Sequence, residues 1–223
     1  AADIELGTNA DGGDDDNCST GFATSPAILA TDNCSATTAL VWTITVDNGA
    51  SGATSGTDMA TLAAALDAMV FELGTTNVSV EVTDETGNTD ECDFNVVVSD
   101  DEVPIFTDCP AADIELGTNA DGGDDDNCTT KFDAADTPVV LATDNCSDTG
   151  ALTFTLSATN SATVGTPSGA IAVLDLALND LTFELGTTIV TVTVTDEAGN
   201  PTDCTFNVVV SDDEVPIFTD CPA

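Results

Sequence analysis

The feature that most constrains this chain is that it repeats itself. AADIELGTNADGGDDDNC (Ala1–Cys18) returns unchanged at Ala111–Cys128. LATDNCS (Leu29–Ser35) returns at Leu141–Ser147, and FELGTT (Phe71–Thr76) at Phe183–Thr188. FNVVVSDDEVPIFTDCPA (Phe94–Ala111) returns at Phe206–Ala223. Between Cys18 and Leu29 the copies differ in length, FATSPAIL in one and FDAADTPVVL in the other. Whatever one copy folds into, the other must also fold into, and a period of about 110 residues is the size of one small domain. The expected organisation is residues 1–102 as one repeat, 103–214 as a second, and 215–223 as the opening strand of a third. VPIFTDCP (Val103–Pro110) then opens the second repeat, and the first is expected to lack its own opening strand within this stretch.

Inside a repeat the apolar residues alternate. Leu40, Trp42, Ile44 and Val46 do so, as do Leu152, Phe154 and Leu156. Val78, Val80 and Val82 lead into the turn Asp84–Asn88, and Phe94, Val96 and Val98 follow it. Val190, Val192, Val194 and then Phe206, Val208, Val210 repeat the pattern. A period of two between turn residues predicts half-buried antiparallel strands. Leu62, Leu66 and Met69, with Ile171, Leu174, Leu178 and Leu181 as counterparts, sit at helical spacing instead and predict a short helix or an irregular crossover before FELGTT. The fold class expected is all-β, as tandem immunoglobulin-like β-sandwiches joined end to end.

Charge removes several functions. There are 41 acidic residues against one basic residue, Lys131, and no histidine, for a net charge of −40. One cation cannot neutralise phosphates, which excludes nucleic acid and anionic membrane surfaces as direct partners. No apolar run approaches the roughly 18–20 residues of a spanning helix, so direct membrane insertion is not expected. Ten of the acids are Glu, leaving 31 Asp. Asp favours turns and is a short, hard oxygen ligand, so the excess suits both Ca²⁺ loops and a solvated surface adapted to salt. Hydrophobic residues still make up 42%, enough for real cores.

Asp-Asn-Cys-Ser, Phe-Glu-Leu-Gly-Thr-Thr, a Thr/Val strand, Thr-Asp-Glu-x-Gly-Asn, a Cys opening the last strand, Asp-Asp-Glu-Val-Pro-Ile-Phe and Cys-Pro follow one another in that order. This ordered set resembles the hyalin-repeat (HYR) family over nearly the whole chain; the helical insert before FELGTT departs from the pattern. The resemblance implies immunoglobulin-like domains in tandem within large extracellular, often adhesive proteins at a cell surface or in matrix, and no enzymatic activity.

Eight cysteines in such a chain suggest an oxidising, extracellular setting, and without CxxC or His a zinc site is not supported. The strand order of an immunoglobulin-like sandwich predicts Cys34–Cys92, Cys146–Cys204 and Cys109–Cys128 as pairs. Cys18 and Cys221 are left to pair outside this chain. Two explanations stay open: a longer array of which this is an excerpt, or donation of Val215–Pro222 to a neighbouring chain, giving self-association into a fibre.

Two kinds of Ca²⁺ site are expected. At a junction between adjacent repeats, Asp100, Asp101 and Glu102 would face Asp144, Asn145, Asp196 and Asn200. By the same logic Asp32, Asn33, Asp84 and Asn88 would face a preceding linker, and Asp212, Asp213 and Glu214 a following repeat. The competing explanation is that these Asp and Asn residues cap tight turns. The second kind is the acidic loop, with Asp11, Asp14 and Asp16 and their copies Asp121, Asp124 and Asp126; a solvated turn explains it equally well, and the closing Glu of an EF-hand is missing. Sequons at Asn17, Asn33, Asn77, Asn127 and Asn145 suit a glycan in a eukaryotic host, which Asn33 and Asn145 cannot carry while ligating metal.

With 4% aromatic residues and no histidine, a glycosidase cleft or serine nucleophile finds no support. Two functions remain: a structural shaft of a long extracellular fibre or adhesin, stapled by disulfides and stiffened by Ca²⁺ at its junctions, or a module whose loops bind a protein or carbohydrate. Identical loops favour the shaft; a binding site would be sought where the copies differ, at Gly21 against Lys131 and around 23–27 against 133–139.

Overall fold

A computed structural model describes residues 3–8, 18–52, 54–118, 128–133, 136–160, 167–216 and 218–220. The Asp11, Asp14, Asp16 and Asp121, Asp124, Asp126 loops lie outside them, as do Asn17, Asn127 and Cys221. The chain divides into two compact units, Ala1–Glu102 and Val103–Ala223. Both are mostly β.

Unit 1 contains β1 (Ile4–Gly7), β2 (Ser19–Thr20), β3 (Val41–Val46), β4 (Ser55–Thr57), α1 (Leu62–Asp67), β5 (Phe71–Glu72), β6 (Gly74–Thr83) and β7 (Thr89–Ser99). One sheet has the order β1-β7-β6-β3-β4, and β2 pairs with β5. Unit 2 contains β8 (Ile105–Asp108), β9 (Ile114–Gly117), β10 (Thr129–Thr130), β11 (Leu141–Thr143), β12 (Thr153–Ala158), β13 (Ser168–Ala170), α2 (Leu174–Asn179), β14 (Phe183–Glu184), β15 (Gly186–Thr195) and β16 (Pro201–Ser211). Its main sheet runs β13-β12-β15-β16-β9, with β10–β14 and β11–β8 as two-stranded ladders.

Period-two sequence becomes one buried face. In β3, Trp42 and Ile44 are buried while Val41, Thr43 and Thr45 face water. In β15, Thr188, Val190, Val192 and Val194 are all sealed, and Cys204, Phe206, Val208 and Val210 of β16 join them. Phe106, Val140, Ala142 and Phe132 from the shorter segments pack onto the same cluster, so the unit 2 core is closed between its large sheet and its short ladders. Leu62 and Leu66 of α1, and Leu174 and Leu178 of α2, plug these cores. In unit 1 the Trp42 indole N–H donates to Thr61 Oγ1 at 3.1 Å. Its ring lies where a side chain on Gly56 would stand, 2.3 Å from an ideal Cβ.

One pairing escapes the antiparallel expectation. β1 runs parallel to β7, with Gly7 opposite Ser99, and β9 runs parallel to β16, with Gly117 opposite Ser211.

The cysteines also differ from expectation. Cys109 bridges Cys204 with a Cα–Cα distance of 6.0 Å, so neither Cys109–Cys128 nor Cys146–Cys204 forms. The physical reason is strand placement. β8 pairs antiparallel with β11, and this brings Cys109, one residue past the end of β8, beside Cys204 within disulfide reach. Cys34, Cys92 and Cys128 are exposed free thiols, so Cys34–Cys92 does not form either. Cys18, expected to pair outside the chain, is held in a disulfide, as is Cys146.

Candidate metal-ligating turns

The candidate ligands of each unit fall near the two ends of its long hairpin. At one end of unit 1, the turn between β6 and β7 is built on Asp84. Its carboxylate accepts the backbone N–H groups of Thr86 and Asn88 at 2.8 Å each, the Thr86 hydroxyl at 2.9 Å and the Asn88 side-chain amide at 2.7 Å. Bonds to the charged form hold Asp84 well below the usual carboxylate range, at about 2, with the Asn88 side chain first among the causes and the Asn88 backbone next. Asp32 caps the neighbouring turn by accepting Cys34 N–H at 2.8 Å and Ser35 N–H at 2.6 Å. These backbone bonds lower its pKa, opposed by burial and by the charge of Asp84. Both acids line one open cavity of about 320 Å³. Asn33 is exposed on the same turn.

Unit 2 repeats this with deeper burial. Asp144 accepts Cys146 N–H at 2.9 Å and Ser147 N–H at 2.7 Å through one oxygen. Asp196, 6% exposed, accepts Gly199 N–H at 2.6 Å and Asn200 N–H at 2.7 Å, and its other oxygen takes the Asn200 amide at 2.8 Å. The Ser147 hydroxyl accepts Glu197 N–H at 3.1 Å and ties the two turns together. Carboxylate oxygens of Asp144 and Asp196 lie within 4.8 Å of each other, and Asp144 Oδ2 is buried without a hydrogen-bond partner. Asn145 is half-buried beside them. The turn-capping explanation therefore accounts for one oxygen of Asp144 and leaves the second over.

At the other end of the unit 1 hairpin, β7 runs out into Asp100, Asp101 and Glu102. The parallel register of β1 delivers Thr8 to this segment. Thr8 N–H bonds Ser99 O at 3.1 Å, and its buried hydroxyl meets Asp101 Oδ1 at 3.1 Å and Glu102 Oε2 at closer range. Carboxylate oxygens of Asp100 and Glu102 lie within 4.8 Å of one another. Asp101 packs so closely over Gly7 that an ideal Cβ there would sit 2.2 Å from its oxygen. The unit 2 copy has Thr118 N–H on Ser211 O at 3.2 Å, Thr118 Oγ1 on Asp213 Oδ1 at 2.8 Å, and Asp213 over Gly117 at the same 2.2 Å. Asp212 caps Glu214 N–H at 3.0 Å.

Thr8, Thr118 and Ser147 were not among the expected site residues. The signal available was the ELGT motif at Glu5–Thr8 and Glu115–Thr118, whose parallel partner lies more than 90 residues away in sequence.

The donor set fits a hard cation. A hydroxyl owns one proton, yet two carboxylates converge on Thr8 Oγ1. Ca²⁺ takes 6–8 oxygens from carboxylates, hydroxyls and carbonyls, and such a cluster is what it neutralises. The chain has a single Lys to offer in competition.

Among curated proteins no relative matches the chain. Among solved structures it is similar to Drosophila N-cadherin EC1-4, at 13% identity over 95% of this chain and 48% of that one, with a TM-score of 0.44. It is also similar to mouse cadherin-23 EC22-24, at 14% identity over 93% and 62%, with a TM-score of 0.41. The chain thus spans about half the length of the first and under two thirds of the second. Residues 135–210 match the HYR domain model, so this stretch of the second unit is similar to the hyalin-repeat domain whose motifs the sequence displays.

Proposed function

We propose that this chain is a shaft segment of a long extracellular adhesion-type protein, in which Ca²⁺ bound by the acidic linkers and Asp–Asn turns stiffens one repeat against the next. The observation that carries the reading is the convergence of Thr8, Asp101 and Glu102, with its counterpart at Thr118 and Asp213. A lone acidic turn satisfies itself with backbone N–H groups, as Asp84 does. Carboxylates aimed at one another and at a shared hydroxyl repel without a cation between them. Near-identical repeats also suit a shaft, which needs the same geometry many times, better than a dedicated binding site, which needs it once.

Titrating Ca²⁺ into the chelated protein by calorimetry, with melting and small-angle scattering run in parallel, tests this. Saturable binding is expected. A ligand at about 100 times its dissociation constant adds about 2.7 kcal/mol to the folded state, and the scattering radius should become narrower in distribution. No heat and an unchanged melting temperature would refute the reading.

A further inference from the structure

We propose that unit 1 carries a self-modification site: the exposed Asn48–Gly49 turn converts, with water as its only co-reactant, into an aspartyl or isoaspartyl turn that is no longer tied to Leu73. This goes beyond the calcium reading and is independent of it, since none of the candidate ligands lies in this turn.

Asn48–Gly49 is the single Asn-Gly pair in the sequence. The two residues form the centre of the turn that follows β3, with φ of 50° and 72°, and Ala50 N–H closes it on Asp47 O at 3.4 Å. Positive φ at both central residues is the type I′ arrangement, which Asn followed by Gly adopts at least cost. Both residues are exposed. The Asn48 side-chain amide donates one bond, to Leu73 O at 3.3 Å. The Gly49 N–H has no partner among the described residues. Beyond the chain neighbours, the nearest atom to an ideal Cβ on Gly49 is Glu72 Cγ at 3.7 Å. Water therefore reaches both the Asn48 carboxamide and the backbone nitrogen that attacks it.

The chemistry balances without an oxidant. Hydroxide takes the Gly49 N–H proton, the nitrogen electron pair forms a bond to Asn48 Cγ, and the Cγ–Nδ2 bond breaks, Nδ2 leaving as ammonia with a proton from water. Water then opens the five-membered imide at either carbonyl. One opening restores the main chain with Asp in place of Asn; the other routes the main chain through the side-chain carbon and leaves the α-carboxylate free. Closure presses the side chain of the next residue against the ring, which is why Gly at that position matters. Asn160 shares the left-handed backbone, at φ 55°, but precedes Ser161, and Asn77, Asn95 and Asn207 precede Val within strands. The product alters the turn. A donor to Leu73 O becomes a carboxylate, so acceptor faces acceptor and the tie is lost. One negative charge is added to the existing −40, next to Asp47 and across the turn from Glu72.

The test incubates the folded 223-residue chain in mildly alkaline buffer with EGTA, in ordinary and in ¹⁸O-labelled water, beside a sample held in urea, and maps peptides by mass spectrometry. In the folded chain Asn48 is expected to convert ahead of every other Asn, with ammonia released, one labelled oxygen taken up and the isoaspartyl fraction accepting a methyl group from isoaspartyl methyltransferase. Gly49→Asp keeps a residue that tolerates the left-handed backbone and should slow conversion by an order of magnitude or more. The converted chain, and Asn48→Asp, should move the Trp42 fluorescence transition of unit 1 to lower urea. Conversion of Asn48 in urea but not in the folded chain, earlier conversion of another Asn, a rate indifferent to Gly49→Asp, or an unmoved Trp42 transition after conversion would each overturn the proposal. Calcium is absent throughout, so either result leaves the calcium reading where it stands.

Discussion

Removing the Cys109–Cys204 bridge should weaken unit 2 and spare unit 1. The two cysteines are 95 residues apart, so the bridge closes almost the whole unit into one loop. In the chain-entropy treatment a loop of that length removes about 16 cal/mol/K from the unfolded ensemble, or about 4.7 kcal/mol at 25 °C. Cys204 is sealed at 1% exposure, so Ala in its place also loses a little packing. With a urea slope of about 1.5 kcal/mol/M for a domain this size, the midpoint of unit 2 should fall by about 3 M in Cys109→Ala/Cys204→Ala. The chain provides its own separation of signals. Its single Trp is Trp42, buried in unit 1, so fluorescence follows unit 1 while far-ultraviolet circular dichroism follows both. Run in EGTA at fixed salt, the variant should shift the unit 2 contribution to dichroism to lower urea and keep the fluorescence transition in place. A midpoint shift below about 0.5 M in dichroism, or an equal shift in fluorescence, would refute the reasoning.

Two smaller effects belong to the acidic turns. Gly7→Ala places a methyl on the Asp101 carboxylate, which must swing away from Thr8; a loss of about 1 kcal/mol in unit 1, seen by Trp42 fluorescence, is expected along with weaker calcium binding. Asp84, held at about 2, stabilises its turn fully above the unfolded carboxylate value of about 3.9, and the contribution disappears as pH falls through 2. Carboxyl NMR titration in EGTA should show that midpoint, and Asn88→Ala should move it upward; an unmoved midpoint would remove Asn88 as its leading cause.

Much of the β architecture was legible because burial writes itself into alternation. Trp42 and Ile44, Val78 and Val80, or Phe206 and Val208 are sealed by the same period of two that marks them in the sequence. The parallel pairings were not legible. A four-residue strand such as Ile4–Gly7 has too few residues to announce its partner, and that partner lies at the far end of the unit's sequence. Thr8 and Thr118 were missed for the same reason, since their role exists only once that register is known. Cysteine pairing failed differently. Cys109, Cys128 and Cys146 all had plausible claims within one unit, and only the seat of β8 against β11 decides among them. The Asp–Asn and Asp-x-x-Gly-Asn turns were readable as local chemistry, because an Asp capping its own turn is a contact over two to four residues.

The edges of the large sheets bear on crowding. One edge of each is a strand of three residues, Ser55–Thr57 in one unit and Ser168–Ala170 in the other, each with a glycine at its centre, and the opposite edge is a strand of four, Ile4–Gly7 or Ile114–Gly117. Edges this short present few free amides to a foreign strand, and the net charge of −40 drives approaching molecules apart until salt screens it. Packed densely, such chains resist sideways fusion into amyloid-like stacks. They should stay dispersed in dilute buffer, and begin to bundle only when ionic strength or divalent cations collapse the repulsion between neighbours.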